Sequence, residues 1–162
     1  MRHSSAEEVE ILLVEDNPDD VEMALRALYS ENLSNRVHVA RDGEDALDFL
    51  LCRKAHEGRN PENQPKLILL DLKLPGVDGF QVLETIKNNS RTKALPVVVV
   101  SSSRQEQDVD RAYALGANSY VQKPAAFDQF HSTIQQVVLY WLVANRLPLT
   151  NGIDLADWRQ PG

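Results

Sequence analysis

Asp71 stands at the end of the apolar run LILL, residues 67–70, and Pro75 and Gly79 follow it closely. The run ILLV, 11–14, likewise ends in Glu15-Asp16. VVVV, 97–100, hands over to Ser101, and SYVQ, 119–122, leads to Lys123 and Pro124. If the first and third runs are neighbours, three carboxylates meet at one edge. Like charges that close repel, raise one another's pKa and titrate as a coupled set. A hard divalent cation offsets that repulsion, and Mg²⁺ tolerates a site of few carboxylates plus water. A fixed ammonium beside the cluster, Lys123, suits a phosphoryl group, and Ser101 adds a hydroxyl donor. A carboxylate so placed can accept a phosphoryl group as a nucleophile.

Taken singly, each residue has a plainer reading. Asp71 alone would be a helix cap or a turn residue, Ser101 the start of a polar loop, and Lys123 a surface lysine. Convergence of all five on one edge is what marks a site. Pro75 cannot continue a strand, and Gly79 is expected to adopt a φ that other residues resist, turning the chain back with Asp71 at the rim. Asn17-Pro18-Asp19-Asp20 reads as a helix start whose acids favour the dipole, not as further metal ligands. His3, His38, His56 and His131 show no metal-ligand spacing and read as structural or solvated. Cys52 reads as buried helix filler.

These residues need elements to position them. ILLV (11–14), RVHVA (36–40), LILL (67–70), VVVV (97–100) and SYVQ (119–122) read as strands. Helical spacing covers 19–31 through Val21, Ala24, Leu25 and Leu28, and a second helix from Gly43 buries Ala46, Phe49 and Leu50. Further helices are expected at 79–89, 105–115 (burying Val109, Ala112 and Tyr113, with Gly116 at its C′ position) and 126–144. The polar stretch 55–65 holds two prolines and reads as an exposed loop. Five strands alternating with five helices give a (βα)5 order. Strands apolar on both faces imply an α/β fold: a doubly wound, five-stranded parallel sheet between helix layers. The site then falls beyond the carboxyl ends of the strands, at the switch in strand order.

Bulk properties narrow the class. The chain has 162 residues, enough for one domain at 9–144 flanked by tails at 1–8 and 145–162. The formal net charge of −7 argues against nucleic acid and membrane surfaces as partners. A single cysteine permits no internal disulfide, and the N-terminus has no signal-peptide h-region, so a cytoplasmic location is expected.

The motifs VEDNPDD (14–20), LLDLKLPGVDGF (69–80), VVVVSS (97–102) and GANSYVQKP (116–124) resemble the receiver domain of two-component response regulators. The loop 55–65 and the ending YWLVANRLP (140–148) are most similar to the single-domain regulators of cyanobacterial phytochromes. The resemblance implies a flavodoxin-like receiver fold with strand order 2-1-3-4-5. It implies that Asp71 is the phosphoacceptor and that Mg²⁺ is held by Asp16, Asp71, the Lys73 backbone carbonyl and, through water, Glu15. Lys123 and Ser101 would bind the phosphoryl group, and Tyr120 would be an aromatic switch moving with Ser101. The Lys123–Pro124 bond would be cis. The phosphodonor would be a histidine kinase, of a phytochrome-type light sensor. Such a protein catalyses transfer to its own aspartate and slow hydrolysis there, but is not a turnover enzyme. Lys73 carries a long side chain where smaller groups are common in the family, and is expected to shield the acyl phosphate. Ser102-Ser103-Arg104 offers no acid to activate water.

The last helix carries a stripe of Phe127, Phe130, Ile134, Val137, Val138, Trp141 and Leu142, widened by Leu139, Tyr140 and Val143. Two readings stand: a packed C-terminal helix folded onto the core, or a patch for a partner or homodimer built on Phe130, Val137, Tyr140 and Trp141. About eighteen residues follow that helix, too few for an output domain, so signalling would run through contact with a downstream protein or a phosphorelay partner. Two rivals use other chemistry. A haloacid-dehalogenase-type phosphatase would want an acid two residues after Asp71, where Lys73 stands. A phosphate-independent binding module would not need the full acid set.

Overall fold

Strands β1 (Ile11–Val14), β3 (Leu67–Leu70) and β4 (Val97–Ser101) are buried at every position, as their unbroken apolar runs require. They form the middle of a parallel sheet of order β2-β1-β3-β4-β5, with β2 (Val37–Ala40) and β5 (Ser119–Gln122) at the edges. The computed structural model describes residues 9–30, 32–33 and 36–146. The expected tail at 1–8 and that from 147 onward lie outside the described residues.

Helices α1 (Pro18–Ser30) and α5 (Phe127–Leu139) cover one face of the sheet. The other carries α2 (Gly43–Leu50), α3 (Gly79–Asn88) and α4 (Glu106–Ala114). Alternation along each strand divides the core in two. Leu12, Ile68, Leu70, Val97 and Val99 meet α2 and α3, whereas Ile11, Leu13, Leu67, Leu69 and Val98 meet α1 and α5.

The helix starts follow capping chemistry. Asn17 Oδ1 accepts from the Asp19 and Asp20 N–H groups, with Pro18 at the first helical position. Asp42 caps α2, and Asp78 with Gln81 forms a reciprocal capping box on α3. Gly116 follows α4 at φ +108°, the expected C′ role.

Several expectations need correction. The final helix is regular only to Leu139 and continues as a π-helical turn over Tyr140–Ala144. Phe127 is exposed, although the stripe placed it inward. Tyr113 is also exposed, since its hydroxyl accepts the outward N–H of Tyr120 on the edge strand β5. Cys52 lies past the end of α2, half-buried at φ +55°. The loop 55–65 is mostly exposed but pinned: buried Gln64 donates to Leu50 O, and Arg59 lies 3.6 Å over the Phe49 ring.

Candidate functional site

The parallel ladder carries on past the strand ends, and this places the site. Glu15 N–H donates to Ala40 O, Asp71 N–H to Val14 O and Lys123 N–H to Ser101 O. The backbones of Glu15, Asp71, Ser101 and Lys123 are therefore fixed along one rim by the same hydrogen bonds that build the sheet. Pro75 and Gly79 then carry the chain away into α3. Gly79 does so by close approach rather than by unusual φ. A Cβ there would lie 2.4 Å from Asp71 O and 2.5 Å from Leu72 Cα, so the helix start rests directly on the Asp71 backbone. The left-handed residue of that loop is Gly76, at φ +71°.

Glu15, Asp16 and Asp71 each offer an oxygen within 4.8 Å of the others'. Asp16 is exposed, while Glu15 and Asp71 are buried. Lys123 Nζ lies 2.7 Å from Glu15 Oε1, 2.8 Å from Asp20 Oδ2 and 3.7 Å from Asp71 Oδ1. Asp20 is a member of the site that the sequence reading left out. Its place in a helix-start run disguised it, and only the packing of α1 on the same face of the sheet as α5 brings it to the amine that follows β5.

Burial dominates the electrostatics. It pushes the Glu15 carboxyl from 4.5 up to about 7, with the Asp71 charge adding to the rise and the Lys123 hydrogen bond opposing it. Asp71 is raised as well, first by burial, while Lys123 and backbone N–H groups of Leu72 and Lys73 pull it down. Burial would lower Lys123, but hydrogen bonds to Asp20 and Glu15 outweigh it and its pKa is raised. Two buried carboxylates and an exposed one, all oxygen donors, fit a small hard divalent cation with solvent access on the Asp16 side.

A solvent-open groove of about 610 Å³ runs alongside, lined by Asp16, Lys73, Pro75, Ser101, Ser103 and Arg111 among others. Ser101 is buried at the end of β4, and its Oγ accepts the Ser103 N–H. The Tyr120 hydroxyl donates to Ser103 O, so Ser101 and Tyr120 meet the same loop residue from two sides. Tyr120 itself is half-buried against the α2–α3 face. Among the described residues no peptide bond is cis, so Lys123–Pro124 takes the trans isomer, which is favoured by about 0.5–1 kcal/mol for an X–Pro bond.

The expected partner surface divides. Phe130 does not belong to it: the side chain is buried against α1, because Phe130, Ile134 and Val138 form the core-facing row of α5. Val137 and Trp141 are partly buried, and Tyr140 is exposed, its ring edge-on to Trp141 at 5.2 Å.

Known proteins resemble this chain in sequence and fold. The chain is 42% identical over 138 residues to the probable methanogenesis regulatory protein FilR2 of Methanothrix harundinacea, covering 85% of this chain and 86% of that one. It is 36% identical over 138 residues to the response regulator Rcp1 of Synechocystis, covering 85% and 92% of the two chains. The Mn²⁺-bound structure of Rcp1 superimposes with a TM-score of 0.79 over 87% of this chain and 99% of that one. The phosphorylated cyanobacterial phytochrome response regulator RcpA does so with a TM-score of 0.81 at 35% identity, over 87% and 99%. Residues 11–135, from the first strand through most of α5, match the family of response regulator receiver domains, and the chain belongs to that family.

Proposed function

We propose that this receiver accepts a phosphoryl group from a histidine kinase on Asp71 and uses the charge gained there to switch a protein-interaction surface. The observation behind this reading is the meeting of Glu15, Asp16 and Asp71 within 4.8 Å, with Lys123 Nζ 3.7 Å from Asp71. Asp16, Asp71 and the Lys73 carbonyl, with Glu15 through water, would hold Mg²⁺, whose chemistry is to neutralise oxygen charge on the transferring group. An Asp71 carboxylate oxygen attacks phosphorus in line; its bond to phosphorus forms as the donor's P–N bond breaks, and the nitrogen retains that electron pair. Lys123 supplies a fixed positive charge to the phosphoryl oxygens. Ser101 lies at the rim to donate a hydrogen bond to one of them. Lys73, exposed on the groove wall, covers the acyl phosphate and slows its hydrolysis.

The switch follows from the Ser101–Ser103–Tyr120 linkage. Movement of Ser101 toward a phosphoryl oxygen draws on the Ser103 N–H, and with it the carbonyl that holds the Tyr120 hydroxyl. Tyr120 then changes its position between the core and the outer edge of β5. The output is contact with a downstream protein or relay partner, and self-association through Val137, Tyr140 and Trp141. The protein regulates in the cytoplasm and does not turn over a substrate. The likeness to RcpA and Rcp1 supports a phytochrome-type kinase as donor.

Acetyl phosphate with Mg²⁺ tests the reading. The expected result is one phosphoryl group per chain by intact mass, lost in Asp71→Asn and in excess chelator. Repeated turnover of a small phosphoester would instead indicate a phosphatase, and absence of any labelling an inert binding module. Transfer from a phytochrome-type kinase, dependent on its illumination, tests the donor, and phosphorylated sample in sedimentation velocity tests self-association.

A further inference from the structure

On the opposite side of the sheet order from Lys123, a second set of side chains converges that phosphoryl chemistry does not use. His38 lies on the edge strand β2, Asp45 in the first turn of α2, and His56 at the end of the 3-10 turn Lys54–His56. Their sequence spacing carries no metal pattern, yet the fold brings one ligand atom of each within 4.8 Å of the others'. His38 Nε2 is 3.4 Å from Asp45 Oδ2, and His56 Nε2 is 2.8 Å from Asp45 Oδ1. Both histidines thus present the same ring nitrogen to opposite oxygens of one carboxylate.

These separations suit coordination. Around a tetrahedral ion with bonds of about 2.0–2.1 Å, ligand atoms sit about 3.3 Å apart. The two histidines meet different oxygens of Asp45, so coordination through one oxygen needs a turn of the carboxylate, and ligand atoms now within 4.8 Å of one another must close to that spacing. The rings are held in place beforehand. His38 stacks on Phe49 with centroids 4.2 Å apart and planes 7° from parallel, and His56 stands edge-on to both rings at 5.2 Å. Phe49 is itself buried in the core. All three side chains keep partial exposure, which leaves a path for an ion and room for water in the remaining positions.

We propose that His38, Asp45 and His56 form a second metal site, for a late first-row divalent cation such as Zn²⁺, which fastens the loop between α2 and β3 to the edge strand β2. Two imidazoles and one carboxylate select against Mg²⁺ and Ca²⁺, which prefer all-oxygen shells. The two sites of this chain therefore differ in donor chemistry and would load independently. A metal bound only by the folded state also stabilises it.

Co²⁺ is a suitable probe because its visible absorption reports a low-coordinate nitrogen and oxygen shell. The full chain is titrated with Co²⁺ in excess Mg²⁺, which occupies the acidic site. One Co²⁺ per chain with visible bands is expected, displaced by equimolar Zn²⁺. His56→Gln and Asp45→Asn should each weaken binding at least about tenfold. Asp16→Asn, His3→Gln and His131→Gln should leave it unchanged. His56 lies in a surface turn, so its variant tests the site without removing a core contact; far-UV circular dichroism checks that each variant is folded. Absence of a saturable signal, wild-type affinity in His56→Gln, or loss of the bands in Asp16→Asn would overturn the proposal.

Discussion

The rim of the sheet and the length of α5 both set apolar residues beside polar ones, but different forces fix them. At the rim, a continuous parallel ladder ties Asp71 to Val14, Glu15 to Ala40 and Lys123 to Ser101. A functional side chain there is placed by being the next residue after a strand, and no helix packing angle enters. Along α5, placement depends on the phase of the helix against α1. The buried row is Phe130, Ile134 and Val138, at intervals of four. Phe127, three residues before Phe130, shares the phase of that row but is the first residue of the helix, and it is exposed. Ladder geometry can be read one residue at a time, whereas burial along a helix depends also on how far its packing partner reaches.

The largest effect should come from the α5 pair. Phe130→Ala removes a buried ring from the α1–α5 face and should destabilise by about 3–4 kcal/mol in urea unfolding. Phe127→Ala, at an exposed position, should change stability by less than about 0.5 kcal/mol. Equal effects of the two substitutions would mean that the α1–α5 packing also covers the first turn of α5.

At the rim, the sensitive position is one that makes no side-chain contact at all. Gly79→Ala places a methyl group against Asp71 O and Leu72 Cα, backbone atoms that cannot swing away. A loss of about 2 kcal/mol is expected, together with slower labelling by acetyl phosphate, because relief requires the Asp71 backbone to shift. Gly58→Ala meets nothing within 4 Å and serves as the control. Unchanged stability and labelling in Gly79→Ala would show that the rim is softer than the ladder implies.

The same contrast explains what could be read before the fold was known. Four strand-like runs with a charged or hydroxyl residue at the end of each marked Asp16, Asp71, Ser101 and Lys123 as one set, and the family resemblance supplied the strand order that brings them to one edge. Asp20 was not legible, because a helix-start acid looks the same whether it faces solvent or a lysine three strands along the sheet. His38, Asp45 and His56 escaped for a related reason: they come from a strand, a helix and a turn, and only burial of Phe49 draws them together. Gly79 was recognised as necessary, but for backbone freedom rather than for space, since a close approach leaves no trace in the sequence.

The smallest expected effect separates the two regions by pH. Glu15 is raised from an ordinary 4.5 to about 7, chiefly by burial, and Asp71 is raised for the same first cause. In that window the folded chain retains a proton that the unfolded chain has released. Stability is therefore fullest below about pH 4.5 and declines as pH climbs through 7. Without added divalent cation, the melting temperature should fall by roughly 5 °C between pH 5 and pH 8 relative to Glu15→Gln, in which the slope flattens. Millimolar Mg²⁺ at pH 8 should recover the difference, since a bound cation favours the ionised carboxylates. Phe127→Ala should keep the wild-type slope, because its region holds no group of the rim. A slope that survives in Glu15→Gln would assign the titration to other groups, and stability rising across this window would contradict the burial of charge on which the rim's chemistry depends.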